Sequence, residues 1–159
     1  MFETARQAGR IPLILVSGES VSDTRVFMNI LLAHHALADS VVMTIQPVEH
    51  TSALIQPLHH SRVMTLPRLE SSAQESCLCC GMHSALGDAL RQLFFEALRD
   101  RSKSLGRVFI ESESIAAEQL THTLRHTAFL GQRYFHQETI RVREPLADAR
   151  FLIEKLDMR

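Results

Sequence analysis

The sequence predicts an α/β protein: a three-layer αβα sandwich with a mainly parallel sheet covered on both faces. Three observations carry this. Short runs rich in β-branched residues alternate along the chain with longer segments of helical period. Each of the first three runs ends at Ser-Gly or Pro, which punctuate strands at their carboxyl ends. The clearest run, Ile11-Pro-Leu-Ile-Leu-Val16, is apolar throughout, as strands of a doubly covered parallel sheet are. A length of 159 residues fits one domain with one core, spanning 1–159.

The elements follow in order. Residues 11–16 form the first strand, stopped at Ser17-Gly18. Ser22 or Asp23 can cap a helix running through Val26, Phe27, Ile30, Leu31 and Leu32 to about Leu37. Residues 40–45 read as the second strand, stopped at Pro47, and residues 62–66 as the third, stopped at Pro67. Between them, 52–58 reads as a short helix. A polar loop, 68–76, leads into Cys77-Leu78-Cys79-Cys80. From His83 to Arg101, apolar residues at 86, 89, 90, 93, 94, 97 and 98 make a helical stripe. Arg107-Val-Phe-Ile110 is a fourth strand running into Glu111. Residues 116–130 read as one helix, 138–142 as a strand and 146–156 as a closing helix. In such sheets ligands bind at the loops beyond the carboxyl ends of the strands. The cysteines fall in a connection of that kind, between the third strand and the long helix.

Composition narrows the function classes. The net charge of −1 gives no electrostatic reason to expect nucleic acid or an anionic membrane as a partner. No apolar run reaches the length needed to span a bilayer. The N-terminus carries charges without a following signal-peptide core, so a cytoplasmic location is expected. Three cysteines within four residues cannot build a disulfide framework; in a reducing compartment such a cluster binds metal or does redox chemistry more often than it packs.

Thiolate sulfur is polarizable and suits soft or borderline ions, which makes zinc the first expectation and Cu(I) the alternative. Zinc takes four tetrahedral ligands, with sulfur at about 2.3 Å. Cys77 and Cys79 are near enough in sequence to chelate one ion, and Cys80 joins if the backbone turns there. A helix N-terminus just beyond the triplet would favour thiolate. The fourth position falls to His83, to His59 or His60, to Glu75, to water, or to a second subunit. Two other readings stand beside this one: small hydrophobes packed under the loop, and a redox sensor with a resolving partner.

The order of these motifs resembles the CobW-type metallochaperone GTPases, a group of P-loop proteins that includes HypB and UreG. Cys77-Leu-Cys-Cys80 matches that family's CxCC, residues 81–93 resemble the helix that follows it, and Arg107-Val-Phe-Ile-Glu111 resembles the strand that ends in a glutamate. The likeness spans residues 11–142. It implies a P-loop NTPase-like fold, GTP and Mg²⁺ binding, and a metal, commonly zinc, on the CxCC cysteines.

The departures define the expectation. A working P-loop needs glycines whose neighbouring N–H groups wrap the phosphates, a lysine for the β/γ oxygens and a hydroxyl for Mg²⁺. Aligned on Gly18, the second glycine falls at Asp23, the lysine at Thr24 and the hydroxyl residue at Arg25. Asp23 puts a carboxylate where a triphosphate must sit, and can cap the helix in its place. A slip of one residue makes Thr24 the hydroxyl and Arg25 the cation without restoring the glycine loop. Gln46-Pro-Val-Glu49 and Glu111-Ser-Glu-Ser114 lack the family's switch features. Asn-Lys-x-Asp is absent, and in this reading the chain stops short of the family's second, C-terminal domain. Phosphoryl transfer rests on positioning and charge, and those groups are the ones missing. The expectation is therefore a metal-binding pseudo-GTPase and not an enzyme, with Cys77, Cys79, Cys80, His83 and Glu111 as the metal set. Gly18, Thr24 and Arg25 are the remnant of a nucleotide site. A homodimer, or a partner metalloprotein or GTPase, is expected. Residual GTP binding and a non-catalytic interaction module are the alternatives.

The histidines add little. His122 and His126 lie i, i+4 on a predicted helix, a chelating spacing, but no H-E-x-x-H follows, and solvated helix-face histidines fit as well. His34-His35 suit a helix C-terminus. Glu111 and Glu113 could mark a Mg²⁺ or acid–base pair, or a solvated strand end.

Overall fold

The computed structural model describes residues 9–34, 37, 39–45, 62–66, 86–100, 105–112 and 117–157. Five strands, β1 (Ile11–Gly18), β2 (Ser40–Ile45), β3 (Arg62–Leu66), β4 (Arg107–Glu111) and β5 (Tyr134–Val142), form one sheet in the order β3-β2-β4-β1-β5. Every pairing is parallel. Among the described residues five helices accompany them: α1 (Val21–Leu32), α2 (Asp88–Arg99), α3 (Ala117–His126), α4 (Ala128–Arg133) and α5 (Pro145–Asp157). The expected α/β class with a parallel sheet is what the chain adopts.

The strand period of two sorts side chains onto the two faces. Leu13, Leu15, Val41, Met43, Val108 and Ile110 meet Leu86, Leu90, Leu93, Leu120 and Leu130 from α2, α3 and α4 in one buried cluster. Ile14, Val16, Val42 and Phe109 meet Phe27, Met28, Leu31, Ala149 and Leu152 from α1 and α5 in the other. A parallel sheet closes only when both faces are covered, because each connection must carry the chain back along the sheet. Full burial of a Leu, Ile or Phe contributes about 1.5–3 kcal/mol, so these two layers are the main source of stability.

The connections set the position of any ligand crevice. The chain leaves β1 through α1 on one face and travels toward the β3 edge. It leaves β4 through α3 and α4 on the opposite face and travels toward β5. Reversing direction and face together keeps one hand of crossover. Adjacent strands β1 and β4 therefore send their connections to opposite faces, and the gap between them at the carboxyl edge is the topological switch point.

Several sequence expectations shift. α1 is capped by Ser20, not by Ser22 or Asp23: the Ser20 hydroxyl accepts the Asp23 backbone N–H at 3.1 Å. It ends at Leu32, short of Leu37, with Ala33 as its C-cap. The predicted helix over 116–130 is two, because Thr127 is extended (φ −119°, ψ 97°) and α4 starts afresh beyond it. Gly131 lets that corner close: a Cβ there would collide with the Leu124 carbonyl oxygen. β5 begins at Tyr134, four residues ahead of the predicted 138, since its first half pairs with β1 across a register shift between Leu13 and Ile14. The short helix read over 52–58 lies outside the described residues.

Candidate functional site

The switch point holds the corner where Gly18, Thr24 and Arg25 were expected to mark the remnant of a nucleotide site. β1 ends at Gly18, Ser20 caps α1, and Thr24 and Arg25 lie on the helix just beyond its first turn. From the neighbouring strand, Glu111 pairs in register with Val16 on one side and Thr44 on the other. Glu111 has the parity of Phe109, so its side chain leaves the sheet toward the α1 face. There Arg25 Nε stands 3.1 Å from Glu111 Oε1, with side-chain exposures of 11% and 7%. Two residues expected in separate roles, one as stand-in cation and one as metal ligand, face each other across the crevice.

The corner is polar and closed around this pair. Thr24, Thr44, Glu111 and Ser112 are all buried, and they make up four of the five buried polar residues among those described. The Ser112 N–H donates to the Val16 carbonyl at 3.0 Å, extending the β1–β4 pairing past the strand end. Gly18 is needed here for space: a Cβ would approach Thr24 Cγ2 to 2.9 Å. Tight contact between the end of β1 and Thr24 leaves a short, packed turn where the resemblance would put a phosphate-wrapping loop. Asp23 lies in the first turn of α1, where its carboxylate is favoured by the helix dipole. The Ser20 cap, not the Asp23 side chain, takes up the first free N–H group. The signal for it was present as Ser20-x-x-Asp23, the capping-box spacing.

Cys77, Cys79, Cys80 and His83 lie outside the described residues, as do His59, His60, Glu75 and Glu113. What is described is the frame on either side of the cysteines. β3 delivers the chain to the carboxyl edge at Leu66, and α2 takes it back from Asp88. Leu86 and Gly87 lead into α2 through a wide π-type turn. Leu86, Ala89, Leu90 and Leu93 are buried against the sheet. The Tyr134 hydroxyl donates to the Leu90 carbonyl oxygen, tying the start of α2 to the start of β5. Burial pushes the Tyr134 hydroxyl well above the ordinary phenol range. The helix that follows the cysteines is thus a fixed abutment.

The remaining candidates are dispersed. His122 is exposed on α3, and His126 closes that helix. No group of three or more His, Cys, Asp or Glu side chains among the described residues is placed to hold a metal ion. No helix of the described residues is long and apolar enough to cross a membrane. No family model, curated protein or solved structure matches the chain.

Proposed function

We propose that this chain is a metal-handling protein that binds zinc, with Cu(I) as the alternative ion, through Cys77, Cys79 and Cys80, and that it does so without a nucleotide of its own. The observation that carries the reading is the thiol triplet in the sequence that joins β3 to α2, since β3 ends at the carboxyl edge of the sheet, where ligands of such sheets bind. Three thiolates supply most of a tetrahedral set and leave one position for His83 or for a second protein, which suits an ion that is handed over. The CobW-type likeness supports the same reading through Cys77–Cys80. The Arg25–Glu111 contact supports the nucleotide-independent part, because it sets a guanidinium against the strand-end carboxylate where the likeness would have Mg²⁺ and phosphate. In this reading the ion pair balances charge inside the crevice, and Glu111 serves Arg25 and not the metal.

Native mass spectrometry of protein purified without a histidine tag tests this. The expected result is about one zinc or copper per chain or per dimer, since three thiolates nearly fill one coordination shell. The Cys79→Ser/Cys80→Ser variant should lose it. Apo protein that takes up no added zinc, or a variant that retains the ion, overturns the proposal.

One observation favours a second reading, residual nucleotide binding: Arg25 is a cation held at the switch point. Titration with labelled GTP and ATP separates the two. Affinity tighter than millimolar that disappears in an Arg25→Ala chain still folded by circular dichroism would establish the nucleotide reading.

A further inference from the structure

We draw no further inference here: the strongest candidate, the exposed apolar patch that Leu146 and Phe151 form on the outer side of α5, has nothing in the structure to show what covers it.

Discussion

The Arg25–Glu111 contact is where single residues matter most. Both side chains lie in the polar corner at the switch point, almost out of water. Removing one partner of a buried pair strands the other charge, so Glu111→Ala should destabilise the chain by about 3–5 kcal/mol, and Arg25→Ala similarly. Replacing both by apolar residues of similar size, Arg25→Met with Glu111→Leu, removes the stranded charge and should cost less than either single change. Urea midpoints for the four chains measure this; a double variant as unstable as the sum of two alanine changes would show that the residues act separately. Both positions stood out in the sequence, Arg25 as a displaced cation and Glu111 as a strand-end carboxylate. Their pairing did not, because strand order, which no local spacing encodes, brings β4 beside β1. The Ser20 cap was readable locally and was missed because Ser22 and Asp23 offered competing caps within the same turn.

At the scale of elements, β2 and β3 are bounded where the apolar runs and their prolines put them. The discrepancies occur where tertiary contact overrides local pattern. Thr127 breaks a stripe that reads as continuous, and the close approach of Gly131 to Leu124 turns α4 back onto the sheet. β5 starts early because Tyr134 is fully buried beneath α2. That tyrosine offers a direct probe of the α2–β5 junction. Burial favours the neutral phenol in the folded chain, so its folded value lies above the ordinary 10.0. The stabilising contribution is therefore complete below pH 10.0 and is lost as pH climbs beyond it. Tyr134 is the sole tyrosine and tryptophan is absent, so the phenolate absorption band reports on this residue alone. The band should stay silent past pH 10.0 and emerge together with loss of the helical dichroism signal. Emergence near pH 10.0 with the helices intact would refute a buried, hydrogen-bonded phenol. Tyr134→Phe should cost about 1 kcal/mol at neutral pH, the net value of one hydrogen bond, and flatten the alkaline decline.

For the whole molecule, the parallel sheet and its two covered faces were legible because alternating strands and helices leave few other ways to bury both sides of each strand. The order β3-β2-β4-β1-β5 was not, and it is this order that allots α1 and α5 to one face and α2, α3 and α4 to the other. The allotment lets one measurement locate the effect of metal, because α2, the helix that follows the cysteines in sequence, lies on the face opposite α1. In the proposed reading, metal bound at Cys77–Cys80 would restrain the segment that enters α2, since ligand binding stabilises whatever must open to release it. Hydrogen exchange followed by mass spectrometry should therefore slow on zinc addition in peptides covering the start of α2, at residues 86–93. Peptides from α1 should hold their rates. Zinc protection spread evenly over both faces would argue for a general effect on global stability. Zinc protection confined to α1 and α5 would place the metal on the other face of the sheet and overturn the assignment to the thiols.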